Sequence, residues 1–202
     1  YTVALLISRL LHPVSVKGLE NLPRHGALLI ANHSSNWDPI LLATALPRDY
    51  RLRVMAKEEL FRYPVVSWLI RVGGAFPVNR GGADIQAVKT AIQTIQSGQN
   101  LLIFPEGTTV RNGIGKADGL PAHAHSGAAM IGVRTGAVFM PVFLDGKKRL
   151  FHKTRIIIGK PYTPVYTGRR GTAEEMQNIA DDLLREIYAL GGQQVGGKPL
   201  CR

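Results

Sequence analysis

The chain has 202 residues, 45% of them hydrophobic, which is enough for one α/β domain with a substantial core. Its 25 Lys and Arg against 14 Asp and Glu give a net charge of +11, which indicates an anionic partner: nucleic acid, an acidic lipid surface or a phosphorylated ligand. The single cysteine, Cys201, excludes an intramolecular disulfide and a CxxC zinc pattern, and no apolar run reaches the roughly 18 to 20 residues of a membrane span.

Strand-like and helix-like segments alternate along the chain. Short apolar or alternating runs predict strands at 12–17, 27–31, 51–56, 74–78, 100–104, 137–144 and 155–159. Capped segments with helical spacing predict helices at 39–46, 57–72, 84–97, 126–134 and 172–190. The pattern predicts an α/β fold, a single layered domain over residues 1–202 with a mixed central sheet flanked by helices. The Gly-rich end, 191–202, is expected to be a flexible tail, and the apolar segment 2–11 fits an interfacial helix and a core helix equally well.

The first motif is a histidine and an aspartate five positions apart, directly after the predicted strand 27–31. Such strand-to-helix corners are where α/β proteins usually place their chemistry. A carboxylate beside His33 would let the imidazole take a proton from a hydroxyl near neutral pH, and Asp38 supplies one. Purely structural roles are open as well: His33 as a core histidine, and Asp38 as the N-cap of a helix that continues with Pro39.

The second motif is the glycine-rich segment 73–82. Arg80 follows a short predicted strand there, and its planar guanidinium matches phosphate oxygens. The flanking glycines let the backbone approach a ligand closely. The alternative is a turn with a solvated arginine.

The third motif is Phe-Pro-Glu-Gly-Thr at the end of the predicted strand 100–104. Glu106 could accept hydrogen bonds from substrate hydroxyls or hold Arg80, while Gly107 and Thr108 offer backbone and hydroxyl donors. An ordinary turn after a strand is the alternative.

The patterns NHxxxxD, GxxPVNR and FPEGT, followed by an apolar segment containing Pro141, resemble the four sequence blocks of the glycerolipid acyltransferase family, of the lysophosphatidate acyltransferase type, over residues 12–160. The resemblance implies that the HX4D histidine, His33, is the general base and that Asp38 orients it and stabilises its cationic form. It implies that Arg80 binds the acceptor's phosphate and that Glu106 and Gly107 position its glycerol. No metal or cofactor is implied.

One departure concerns the residues after Glu-Gly-Thr. Many family members carry arginine and then serine there, whereas this chain has Thr109 and Val110, with Arg111 two places later. Arg111 or Lys116 would then bind part of the acceptor's phosphate, or the acceptor's head group would differ.

The resemblance therefore implies a membrane-associated O-acyltransferase at the cytoplasmic face. It would move a fatty acyl group from acyl-CoA or acyl carrier protein to the hydroxyl of lysophosphatidate, giving phosphatidate in phospholipid biosynthesis. The segment 65–70, flanked by aromatic residues, Arg62 and Arg71, fits an anionic membrane surface, with a core helix as the alternative. Other interpretations are an acyltransferase with a different lyso-lipid acceptor and a non-catalytic basic lipid-binding module. A serine hydrolase is a further alternative, but this sequence lacks the GxSxG motif of such enzymes. Nucleic-acid binding is not expected, because the chain lacks a recognisable nucleic-acid-binding motif.

Overall fold

The computed structural model describes residues 11–47, 49–79, 84–110, 124–145, 148 and 151–193. Predictions for Arg80, Arg111, Lys116 and Cys201 lie outside these residues, as do most of the segment 2–11 and of the tail 191–202.

The described chain contains seven strands and five α-helices, and the two kinds of element alternate from β2 to β6. The strands are β1 (Val14–Lys17), β2 (Ala27–Ala31), β3 (Leu52–Lys57), β4 (Ala75–Val78), β5 (Asn100–Ile103), β6 (Val138–Leu144) and β7 (Thr154–Ile158). The α-helices are α1 (Asp38–Ala45), α2 (Pro64–Val72), α3 (Ile85–Gln96), α4 (Gly127–Thr135) and α5 (Ala173–Leu190), with 3-10 turns at Leu19–Asn21 and Glu58–Arg62.

The strands form one mixed sheet in the order β1-β7-β6-β2-β5-β3-β4. Strands β2 to β6 run parallel to one another, whereas β7 is antiparallel to β6 and β1 is parallel to β7. Helices α3, α4 and α5 cover one face of the sheet, and α1 covers the other. The predicted α/β class and the mixed sheet are therefore confirmed. The central strands β2 and β5 are buried along their whole length, which explains their uninterrupted apolar sequences.

The register of the two central strands places the first and third motifs side by side. Ile30 of β2 pairs with Ile103 of β5 in a parallel ladder. His33 and Glu106 each follow three residues later, so both lie beyond the same carboxyl edge of the sheet.

The predicted helix 57–72 is divided in the structure. Lys57 still belongs to β3, a 3-10 turn follows, and α2 begins only at Pro64. The reason is local: the ring of Pro64 disfavours a helical conformation at the preceding residue, and Tyr63 is extended with φ −92° and ψ 113°. No residue of α2 is buried, so the core-helix interpretation of this segment is wrong. Among the described residues no helix has the length and apolar character needed to cross a bilayer.

Candidate active site

The loop after β5 holds both backbone groups of His33. Its N–H donates to Glu106 Oε2 at 2.6 Å, and its carbonyl oxygen accepts from the N–H of Val110 at 2.7 Å. The third motif thus fixes the position of the histidine in the first motif, although the two are 73 residues apart.

The His33 ring is positioned by two contacts. Nδ1 lies 3.1 Å from Asp38 Oδ2, and the ring stacks on Phe104 with centroids 4.2 Å apart. Because a carboxylate can only accept, we assign the neutral tautomer that carries its proton on Nδ1, which leaves the Nε2 lone pair free to take a proton. The pair is therefore arranged for general-base chemistry.

Asp38 is fully buried and remains ionised through its neighbours. Its Oδ2 also accepts the backbone N–H groups of Ser34 and Ser35 at 2.7 Å each, and Lys148 Nζ lies 2.9 Å from Oδ1. Burial raises the pKa of Asp38, but the hydrogen bond with His33 and the charge and hydrogen bond of Lys148 outweigh it and hold the pKa below its ordinary value.

The expectation that Asp38 caps the following helix is wrong in detail. Trp37 occupies the N-cap position, and Asp38 is the first helical residue. Its carboxylate turns back toward the N–H groups of the loop that precedes the helix, so it closes the loop around His33 rather than capping α1.

Glu106 is buried and uses one oxygen on each side. Oε2 accepts from His33 N–H, and Oε1 accepts from the hydroxyl of Tyr188 on α5 at 2.5 Å. Burial raises the pKa of Glu106 above its ordinary value, and these two hydrogen bonds oppose the rise. Burial, together with the charge of Glu106, likewise raises the pKa of Tyr188. These contacts tie Glu106 to the scaffold, while its predicted contact with substrate stays a prediction.

The turn at Gly107 requires a glycine for two reasons. Its φ is +66°, and a Cβ atom added there would lie 2.6 Å from Cδ2 of His125. The N–H of His125 donates to the carbonyl of Pro105 at 2.7 Å, which holds the chain entering α4 against this turn. Thr108 follows, exposed, so its hydroxyl and backbone are open to a ligand.

A cleft of about 670 Å³ opens beside this turn, between α3 and α4. Its wall is largely apolar and includes Val88, Ile92, Met130 and Ile131, while Lys89 and Arg134 also line it. Phe104, Gly107 and His125 form the part nearest the third motif.

Three residues of the site were missed from the sequence: Lys148, Tyr188 and His125. Each reaches the site from an element distant along the chain, and no local pattern marks it. Among the described residues no group of three or more His, Cys, Asp or Glu side chains could hold a metal ion.

Comparisons with known proteins concern the fold and the sequence of this chain. The fold is similar to the crystal structure of the 1-acyl-sn-glycerophosphate acyltransferase PlsC from Thermotoga maritima, with a TM-score of 0.66, 24% identity, and coverage of 92% of this chain and 75% of that one.

Three curated relatives are similar in sequence. A 1-acyl-sn-glycerol-3-phosphate acyltransferase of Streptococcus pneumoniae is 33% identical over 61% of this chain and 43% of its own length. An enzyme of the same name from Bacillus subtilis is 29% identical over 88% of this chain and 87% of its length. A lyso-ornithine lipid O-acyltransferase of Pseudomonas aeruginosa is 35% identical over 48% of this chain and 36% of its length.

The chain thus spans less than half of the pneumococcal and Pseudomonas relatives and most of the Bacillus one. The model of the acyltransferase family matches residues 13–145, which include the first three motifs and Pro141. The chain belongs to the acyltransferase family.

Proposed function

We propose that this protein transfers a fatty acyl group from a thioester to the free hydroxyl of lysophosphatidate, giving phosphatidate. The observation that carries the proposal is the His33–Asp38 pair at 3.1 Å, held at the sheet edge by Glu106. The pneumococcal and Bacillus relatives, both named as 1-acyl-sn-glycerol-3-phosphate acyltransferases, support the choice of acceptor.

The reaction follows from the base and its partner. His33 Nε2 takes the proton of the acceptor hydroxyl as that oxygen attacks the thioester carbonyl carbon. The new C–O bond forms, the C–S bond breaks, and the imidazolium returns the proton to the departing thiolate. Asp38 stabilises the imidazolium between the two proton transfers. The substrate's own hydroxyl is the nucleophile, so the protein needs no nucleophilic serine or cysteine.

The cleft between α3 and α4 is the proposed place of the acyl chain. Its apolar wall meets the third motif, so a chain in it would present a thioester near the His33 loop. Coenzyme A and acyl carrier protein are both anionic donors, and both fit the net charge of +11. Arg80 and Arg111 are the proposed phosphate ligands of the acceptor.

The proposed membrane contact is an exposed surface on the 3-10 turn and α2, which we call the interfacial surface. Its exposed apolar members are Leu60, Tyr63, Val65, Val66, Trp68 and Val72, and its cations are Arg62 and Arg71. Aromatic and aliphatic side chains mixed with arginines suit the headgroup zone of an anionic bilayer. The turn follows the carboxyl end of β3, on the edge of the sheet where His33 lies, so a lipid acceptor would enter from the membrane. The cytoplasmic face of the membrane is the proposed place of this contact.

Two observations support an alternative acceptor in place of lysophosphatidate. The third motif is followed by Thr109 and Val110 rather than arginine and serine, and one relative is named as acting on a lyso-ornithine lipid. Under this alternative the acyl transfer is unchanged and the acceptor lacks the glycerol phosphate.

The test supplies purified protein with palmitoyl-coenzyme A and lysophosphatidate and follows release of free thiol. We expect His33→Ala to abolish release and His25→Ala, which alters an exposed histidine, to leave it unchanged. Undiminished release from His33→Ala would refute the assignment. Higher kcat/KM with lyso-ornithine lipid than with lysophosphatidate would favour the second acceptor.

A further inference from the structure

Lys148 places a buried cation next to the first motif. Its side chain is 4% exposed, and its ammonium contacts Asp38 Oδ1 at 2.9 Å, Ser34 Oγ at 2.8 Å and the carbonyl oxygen of Asp145. Taking an ammonium out of water is costly unless opposite charge and hydrogen bonds compensate for it. Here three oxygens, one of them a carboxylate, provide that compensation.

The two oxygens of Asp38 serve different partners. Oδ2 contacts His33 Nδ1 and the N–H groups of Ser34 and Ser35, whereas Lys148 approaches Oδ1. Lys148 and His33 thus contact different oxygens of the same carboxylate. Because it lies beyond the end of β6, it also connects that end of the sheet to the loop that carries His33.

We propose that Lys148 is a positioning residue, which acts on His33 through Asp38; this inference rests on the acyl transfer proposed above. It has two effects. The ion pair fixes the rotation of the carboxylate so that Oδ2 faces Nδ1. It also shares the negative charge of Asp38, so the imidazolium is stabilised less than it would be by an unshared carboxylate. Removal of Lys148 would therefore strengthen the interaction between Asp38 and the imidazolium.

Other charges facing this pair are few among the described residues. Glu106 interacts electrostatically with His33 and Asp38, and it accepts the backbone N–H of His33. The hydroxyl of Tyr188 donates to Glu106 and is affected by the charge of Asp38. Neither contacts Lys148, so a change at Lys148 leaves their hydrogen bonds in place. A shift of the pH profile in a Lys148 variant therefore reports the Lys148–Asp38 pair.

The experiment measures kcat/KM against pH for wild type, Lys148→Met, Lys148→Arg and the control Lys153→Met, which alters an exposed lysine between β6 and β7. We expect the acidic limb of the profile in Lys148→Met to move to higher pH by about one unit, with a kcat loss of about 10-fold or more at neutral pH. Lys148→Arg should keep most of the wild-type profile, because it retains the positive charge, and Lys153→Met should match wild type. A Lys148→Met profile that coincides with wild type overturns the proposal.

A stability measurement covers the case in which Lys148→Met folds poorly. The double variant Asp38→Asn/Lys148→Met removes both charges, and we expect it to melt at a higher temperature than Lys148→Met alone, because no buried carboxylate without its lysine partner remains. A double variant no more stable than Lys148→Met overturns the coupling. This measurement needs no turnover, so absence of acyl transfer in wild type would refute the proposed function without deciding the role of Lys148.

Discussion

Glu106 Oε2 lies 2.6 Å from the backbone nitrogen of His33, so a carboxylate of the third motif holds the histidine of the first by its main chain. The other oxygen of Glu106 accepts from Tyr188, which ties the same carboxylate to α5. His33 is therefore positioned by a chain of contacts that crosses the sheet edge from β2 to β5 and then reaches α5.

Glu106→Gln tests this connection. The amide has one acceptor oxygen instead of two, so either the His33 N–H or the Tyr188 hydroxyl loses the oxygen to which it donates. We expect a loss of about 1 to 3 kcal/mol in the free energy of unfolding and a kcat lower by about 10-fold. Urea denaturation and steady-state kinetics measure both. The exposed Glu174→Gln on α5 is the control, and equal behaviour of the two variants would contradict the role given to Glu106.

Gly107→Ala tests the turn of the third motif. The substitution meets both a φ of +66° and the ring of His125, whereas Gly98→Ala meets a similar φ of +77° with no atom within 4 Å. The backbone strain common to both should cost about 1 to 2 kcal/mol. We expect Gly107→Ala alone to reduce kcat/KM as well, and Gly107→Ala/His125→Ala to recover part of that loss. Identical kinetics for Gly107→Ala and Gly98→Ala would show that the contact with His125 has no consequence.

The lowered pKa of Asp38 predicts a pH dependence of stability. Because folding favours the ionised form, the stabilisation is fully present above the ordinary pKa of 3.8 and is lost as the pH falls through the lower value of the folded protein. The difference in unfolding free energy between wild type and Asp38→Asn should thus be largest near neutral pH and shrink in acid. Denaturation curves at a series of pH values measure it, and a difference that grows as the pH falls would have the wrong sign.

Membrane contact through the interfacial surface can be tested by vesicle co-sedimentation. We expect Val65→Ser/Trp68→Ser to weaken binding to vesicles of phosphatidylglycerol and phosphatidylcholine by about 10-fold or more. The reason is that each apolar side chain inserted into the bilayer contributes about 1.5 to 3 kcal/mol to the free energy of binding. Val165→Ser removes an apolar side chain that is 87% exposed and lies outside this surface, and it should bind as wild type does. Arg62→Glu/Arg71→Glu should reduce binding mainly at low salt. Unchanged binding by Val65→Ser/Trp68→Ser would show that this surface does not contact the membrane.

The sequence predicted the class of fold and the contact between His33 and Asp38. The uninterrupted apolar sequences at 27–31 and 100–104 predicted the buried strands that precede His33 and Glu106, because both faces of such strands are covered. The contacts of Tyr188 and Lys148 were out of reach, since they join residues 82 and 114 positions apart and leave no local periodicity. The division of the predicted helix 57–72 could have been predicted from Pro64, which disfavours a helical conformation at the residue before it. The orientation of the Asp38 carboxylate toward the preceding loop could not, because it depends on hydrogen bonds that residue types alone do not specify.

The central claim is that His33 activates an acceptor hydroxyl rather than water. The most direct measurement is mass spectrometry of the products formed from palmitoyl-coenzyme A and deuterium-labelled lysophosphatidate by wild type and by His33→Ala. We expect labelled phosphatidate and free coenzyme A in equal amounts from wild type, and neither from the variant. Free palmitate in place of labelled phosphatidate, or labelled phosphatidate formed equally well by His33→Ala, would contradict it.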